Sequence, residues 1–278
     1  MKTYKLNAII VALLFATALV SCKGKGYSGE DGEEINVLVI YTEEAQAQAN
    51  ANGYPSIQTL IDERINYTNG IFAASGIVHQ LTLTGAEETS SQVAIAEAQD
   101  TRDLRQKHIR GWLSSELEDQ NSALFTQRYN AQADLIIILH TPLNGTTSGQ
   151  ARVTSGIERL DYERSHAAVY WNSPNTFVHE VGHLFGASHD AYRLASVSSQ
   201  PIVDYGQGYV DLNAEFRTLM SYSTACDDAD TTCPQVALFS NPNLQNDGVS
   251  AGSEEFAYNA CLIAVSYTHL TLPTIYSV

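Results

Sequence analysis

The sequence predicts an α+β fold: a twisted mixed sheet layered with helices, and a smaller irregular region toward the C-terminus. Two observations predict it. Short β-branched, apolar runs alternate with segments of helical periodicity, and 278 residues at 44% hydrophobic are enough to bury the core of one such domain. Ile35-Asn36-Val37-Leu38-Val39-Ile40-Tyr41 reads as a buried strand that opens the folded part. Pro55 and Ser56 precede a helix whose apolar residues Ile57, Leu60, Ile61, Ile65 and Ile71 recur at helical spacing, with Gly76 just beyond its end. Ile77 to Leu83 alternates as a second strand, Asp103 to Leu117 is helical, and Asp134 to Leu139 is another buried strand. Pro142 to Gly149 reads as a polar loop. Gln150 to Thr154 then reads as a short edge strand, either an ordinary surface strand or one that pairs with an extended peptide. Ala167 to Trp171 is a further strand, and Asn172-Ser173-Pro174-Asn175 supplies capping and first-turn residues for the next helix. Helical spacing resumes from Glu254 to Ala264.

The flanks read differently. Lys2 and Lys5 precede an apolar run from Ala8 to Val20 that has signal-peptide proportions and is too short to span a bilayer. Leu19-Val20-Ser21-Cys22 resembles a bacterial lipobox, which implies cleavage before Cys22 and a lipid on that cysteine. The expected organisation is a signal peptide over 1–21, a flexible tether over 22–34, one folded domain over 35–264, and an anomalous, non-native tail over 265–278, with the true protein longer.

Cys226 and Cys233 bracket Asp227-Asp228-Ala229-Asp230 and are expected to pair in an oxidising compartment. With Cys22 lipidated, Cys261 is left over, its partner absent or in sequence beyond this chain. The acidic turn lacks the surrounding ligand pattern of a calcium loop, so calcium is unsupported and a solvated loop is expected. A net charge of -16 argues against a broad electrostatic grip on nucleic acid or anionic lipid.

The chemistry lies in His179-Glu180-Val181-Gly182-His183-Leu184-Phe185-Gly186-Ala187-Ser188-His189-Asp190. On a helix, His179 and His183 share one face with Cβ atoms roughly 5–6 Å apart, so both imidazoles reach one ion. Zinc takes nitrogen ligands at about 2.0–2.1 Å, and a catalytic site holds it with three protein ligands. Gly186 can adopt a left-handed conformation, ending the helix and returning His189 to the metal as the third. Glu180 is placed to act on water at the zinc rather than to ligate it, taking the proton as that water attacks a peptide carbonyl. The six fixed positions together have a chance occurrence on the order of one in 10^5 or lower. Asp190 either belongs to the pattern or simply caps the next turn.

This extended motif resembles the metzincin clan of zinc endopeptidases. Metzincins place a methionine in a tight turn under the metal, and Arg217-Thr218-Leu219-Met220-Ser221-Tyr222 is similar to that feature. The resemblance implies that Met220 floors the site and that Tyr222 is a ligand or an oxyanion donor; the alternative for Tyr222 is a half-buried core tyrosine. Asp190 resembles the reprolysin branch, whereas Tyr222 is more like the astacin and serralysin branches. Tyr41-Thr42, Ala74-Ser75-Gly76-Ile77 and Phe239-Ser240-Asn241-Pro242 resemble bacterial reprolysin-like enzymes of the peptidyl-Asp metallopeptidase kind, over roughly residues 35–264. There is no room between Cys22 and Ile35 for the propeptide many metzincins carry.

The resemblance implies a zincin fold, one catalytic Zn2+ and hydrolysis of peptide bonds in a protein or peptide substrate; the signal-like run and the lipobox imply an exported location, lipid-anchored or released. Cleavage near aspartate is implied too, although no residue in the sequence announces itself as its reader. A catalytically silent surface binding protein is the alternative from another class; Glu180 and three histidines together speak against it. A purely structural zinc site fits poorly, because no cysteine lies near the motif.

Overall fold

In a computed structural model, the described residues are 32–89, 102–141, 149–151 and 165–266. A five-stranded sheet runs in the order β2-β1-β3-β5-β4, with β1 Glu34–Tyr41, β2 Gln80–Glu88, β3 Leu135–His140, β4 Gly149–Ala151 and β5 His166–Tyr170. The first four strands are parallel and β4 is antiparallel to β5, so the sheet is mixed and β4 forms one edge.

Alternation along β1 builds two cores, because successive side chains point to opposite faces. Ile35, Val37 and Val39 pack with Leu60 and Ile61 of α2 (Ile57–Ala74) and with Phe177, Val178 and Val181 of α5 (Pro174–Leu184). Leu38 and Ile40 face the other way, onto Ile109, Leu113 and Leu117 of α3 (Arg102–Glu118) and Leu124 of α4 (Ala123–Ala131). Helices on both faces leave β3 wholly buried, which is why it reads as a continuous apolar run.

Several boundaries depart from the sequence reading. Ile77 is not a strand residue: its N–H donates to Phe72 O at 2.9 Å and closes the end of α2 past Gly76, whose φ is 79°. Strand pairing begins only at Glu34 with Gln80 and runs to Glu88. Just before it, His79 accepts from Glu33 N at 3.0 Å through Nδ1, so its Nε2–H is the donor to Ala264 O at 2.9 Å. One imidazole thereby ties the start of β1 to the last helix. The edge strand begins at Gly149, not Gln150; the rest of the expected strand and of the preceding loop lies outside the described residues. Helix α1 (Glu43–Ala51), capped by Thr42, and α4, capped by Ser122, have no counterpart in the sequence reading.

The lower region is built of small pieces: α6 Ala191–Ser196, α7 Thr224–Asp228, and the two-stranded pairs β6–β7 (Val210–Asp211, Phe216–Arg217) and β8–β9 (Asn241–Asn246, Val249–Ala251). Cys226 and Cys233 are disulfide-bonded, as expected. The intervening acids are not a plain loop, since Asp227 and Asp228 end α7. Cys261, expected to be left over, is not a free thiol. The last helix, α8, starts at Asn259 rather than Glu254 and runs to Ser266, because Ser253 and Ala257 first close a small turn on each other. Val265 packs on the core and the Ser266 hydroxyl donates to Phe185 O at 2.8 Å, so the first two residues of the segment expected to be a non-native tail are part of the fold. The remainder of the expected tail, the expected signal peptide, Cys22 and most of the expected tether lie outside the described residues. Among the described residues, no helix is long and apolar enough to cross a membrane.

Two of the segments that carried the resemblance meet in space. Phe239 N donates to Ser75 Oγ and Asn241 Nδ2 to Ser75 O, both at 2.9 Å. That junction binds the lower region to the C-terminal end of α2.

Candidate metal centre

Helix α5 begins with Ser173 as N-cap and Pro174 in its first turn. The Ser173 hydroxyl engages the Thr176 hydroxyl at 2.6 Å and makes no side-chain cap to a backbone N–H. The helix stops as its sequence requires. Gly186 has φ 89°, its N–H donates to His183 O at 2.9 Å, and Ala187 N donates to Gly182 O at 3.0 Å. This pair of bonds around a left-handed glycine is a Schellman stop, which swings the chain back toward the helix. The returning strand is fixed by Ser188 N donating to Gly206 O at 2.8 Å and Gly208 N to Ser188 O at 3.1 Å.

The turn brings His189 to the two helical histidines. His189 Nε2 lies 3.2 Å from His179 Nε2 and 3.0 Å from His183 Nε2, and the three ligand atoms lie within 4.8 Å of one another. Tetrahedral zinc with nitrogens at its usual bond length needs them about 3.3 Å apart, so the three imidazoles fit a zinc ion. The opposite ring nitrogens are committed. His179 Nδ1–H donates to Leu219 O at 3.0 Å and His183 Nδ1–H to Ala187 O at 2.7 Å, which leaves each Nε2 with a lone pair aimed at its neighbours. Burial lowers all three pKa values, to about 4 for His179 and about 3 for His189, with further lowering of His183 and His189 by neighbouring imidazoles. The neutral imidazole is the form that binds metal.

Beneath them, Met220 is wholly buried in the tight turn closed by Ser221 N donating to Thr218 O at 3.0 Å. The close approach depends on Gly182, where a methyl group would lie 2.8 Å from Met220 Sδ and 2.7 Å from the Phe239 ring. Because Leu219 in this turn accepts from His179, the turn orients a ligand as well as flooring the site.

Asp190 does two jobs that the sequence left as alternatives. Its Oδ1 accepts from Arg193 N at 2.9 Å as the N-cap of α6, and its Oδ2 accepts from Tyr222 N at 2.9 Å. One buried carboxylate thus joins the residue after the third histidine to the end of the methionine turn. Tyr222 is not a core tyrosine: it is 38% exposed, with its ring 4.7 Å from the His189 ring and Arg193 4.8 Å from its own centre. Burial, then the charge of Glu180, raise its pKa, so it remains a phenol and a hydrogen-bond donor.

Glu180 is buried beside the histidines. Gly149 of β4 lies directly against it: a methyl group there would come within 2.7 Å of Glu180 Oε1 and 2.5 Å of Thr176 Cγ2. The expected result of Gly149→Ala is a displaced carboxylate in an otherwise intact site. Metal content is expected to stay at wild-type stoichiometry in equilibrium dialysis, because the atoms that the methyl group meets belong to Thr176 and Glu180 and not to the histidines.

The site opens into a cleft of about 520 Å³ lined by Gly149, Asn175, Thr176, Arg217, Ser223 and Gln235 as well as by His179, Glu180 and Tyr222. Sequence reasoning missed Asn175, Arg217 and Gln235 as lining residues. Arg217 carried a faint signal, as the residue that opens the methionine-turn motif; Gln235 carried none. A larger hollow of about 750 Å³ near Tyr205 and Glu254 holds no histidine and lies apart from this chemistry.

Comparison with known proteins agrees with this geometry. Residues 31–252 match the family described as Reprolysin_5, metallo-peptidase family M12. A peptidyl-Asp metalloendopeptidase of Stenotrophomonas maltophilia (strain R551-3) is 30% identical over 81% of this chain and 49% of its own length. One of Xanthomonas campestris pv. campestris is 29% identical over 81% of this chain and 48% of its own. The chain therefore spans about half the length of the curated relatives it matches. A solved structure described as a chaperone-substrate complex aligns with a TM-score of 0.60 over 87% of this chain and 35% of its own, at 16% identity, a likeness of fold alone.

Proposed function

The chain belongs to the reprolysin-like M12 metallopeptidase family, and from that premise we propose that it is a zinc-dependent endopeptidase acting on proteins or peptides. The observation that carries the reading is the convergence of three Nε2 atoms beside a buried carboxylate, with two of the opposite nitrogens held by carbonyls. His179, His183 and His189 would hold the ion, which when bound polarises the scissile carbonyl and lowers the pKa of water. Glu180 takes a proton from the attacking water and passes it to the departing amine. The Tyr222 hydroxyl donates to the oxygen that becomes negative as the carbonyl is attacked. No covalent intermediate with the chain is required. Among the described residues strand β4 has one neighbour in its sheet, the arrangement in which an extended substrate backbone adds to an edge.

The relatives are named for peptidyl-Asp, and we assign this chain the same preference for cutting beside an acidic side chain. Incubated with a denatured protein, the full chain is expected to release peptides, and a chelator to stop the release. Intact substrate in the presence of folded, zinc-loaded protein would favour the silent binding scaffold instead.

We further propose that the protein is exported and lipid-anchored through Cys22, at the bacterial outer membrane or cell surface, or released from it. The support is the signal-like run ending at the Leu19–Cys22 lipobox. Labelled palmitate is expected in the wild-type chain and absent from Cys22→Ala; an unlabelled wild-type chain with Cys22 in a disulfide would contradict the anchor.

A further inference from the structure

We propose that Arg217 is the residue that selects an acidic substrate side chain next to the scissile bond. The inference rests on the peptidase reading above and assigns to one residue a selectivity that no feature of the sequence explained.

Charge in the cleft is sparse. Among its described lining residues, Glu180 is the single acid and Arg217 the single permanent cation. The other polar groups of that wall are engaged with one another. Tyr67 donates to Asn175 Oδ1 at 2.6 Å, Asn175 Nδ2 donates to Gln235 Oε1 at 2.9 Å, and Gln235 Nε2 donates to Leu219 O at 3.0 Å. This chain of amides ends on the methionine turn and holds the wall rigid beside the histidines.

Arg217 is different. Its backbone is clamped on two sides, with Arg217 N donating to Pro234 O at 3.1 Å and Val236 N to Arg217 O at 2.8 Å, while β7 pairs with β6. Its Nη1 donates to Ser221 O at 2.6 Å, which draws the guanidinium across the foot of the methionine turn. No carboxylate among the described residues comes within ion-pair distance of it. Asp190 and Asp227 act on it only at longer range, and burial outweighs them, so its pKa is lowered. With Nη1 given to Ser221 O and Nε buried without a partner among the described residues, Nη2 of this half-buried guanidinium is the donor left for a carboxylate.

The surroundings make a cation necessary here. A chain of net charge -16 repels acidic segments, and Glu180 would repel an acid placed at the catalytic end of the cleft. Among the described residues of the cleft, only the Arg217 wall reverses that field. Arg193, a second cation among the described residues, is stacked over the Tyr222 ring and is not among the lining residues.

The test uses the full zinc-loaded protein and matched peptides with Asp, Asn or Lys beside the scissile bond. Wild-type protein is expected to prefer Asp over Asn in kcat/KM. In Arg217→Met that ratio drops by about ten- to a hundredfold, the range for one charge-assisted hydrogen bond. In Arg217→Glu, the Lys peptide overtakes the Asp peptide. Because Arg217 also braces Ser221, zinc content and the Asn-peptide rate are read in parallel, and the ratio rather than the absolute rate decides. A wild-type preference for Asp that survives in Arg217→Met at full size overturns the assignment while leaving the peptidase reading intact. Zinc-loaded wild-type protein that cleaves none of the peptides overturns both.

Discussion

Glu180→Gln is expected to keep zinc and to lose about 10^2- to 10^4-fold in kcat, the range for a positioned general base. The substitution is nearly isosteric, so the close approach to Gly149 survives and the helix is undisturbed. Only the ability to take and return a proton goes. The imidazoles that hold the metal are fixed from behind by Leu219 O and Ala187 O, neither of which involves residue 180. The loss should therefore fall on kcat with KM little changed, the signature of an interaction made in the transition state. Unaltered turnover in a zinc-loaded Glu180→Gln protein would remove the residue from the mechanism.

The second large effect is on the metal itself. His183→Ala deletes a ligand at the point where the other two histidines meet, since its Nε2 is 3.0 Å from that of His189 and its ring 4.7 Å from that of His179. Zinc affinity is expected to drop by far more than the about 10- to 100-fold typical of losing a partner behind a ligand. The same change removes the bond to Ala187 O and with it part of the stop that ends α5. A destabilisation of about 1 kcal/mol in the zinc-free protein follows from one lost hydrogen bond. Equilibrium dialysis and a urea titration of the zinc-free protein separate the two. Zinc binding at wild-type strength in the variant would mean that the ion is held elsewhere.

The site was legible because its parts are local. His179, Glu180 and His183 share a helix, and Gly186 can only be read one way where a chain must leave a helix with a positive φ. Met220 and Tyr222 were found through the resemblance; Met220 is wholly buried and the Tyr222 ring lies 4.7 Å from that of His189. Asp190 was half legible: the cap is a local event, but its second bond, to Tyr222 N, spans 32 residues. Arg217 and Gln235 are cleft residues only because the methionine turn folds under α5, and nothing in their own neighbourhoods encodes that approach.

For the fold, strands β1, β3 and β5 and helices α2 and α3 were readable from apolar runs and periodicity, and α5 from its capping and first-turn residues. Helix α1 was not, because the residues it buries are Ala45 and Ala49, which give little hydrophobic contrast. The start of β2 was misplaced because Ile77 and His79 are held by bonds to Phe72, Glu33 and Ala264, and apolar alternation cannot distinguish such a junction from a strand.

The claim at the centre of this account is that one zinc ion on His179, His183 and His189 makes the chain a peptidase. The most direct measurement strips the metal and returns zinc in steps while peptide hydrolysis is followed. The account predicts activity that rises from zero in proportion to added zinc and levels off at one ion per chain. Hydrolysis by the stripped protein, or a folded chain that fills with zinc and stays inert, would contradict it.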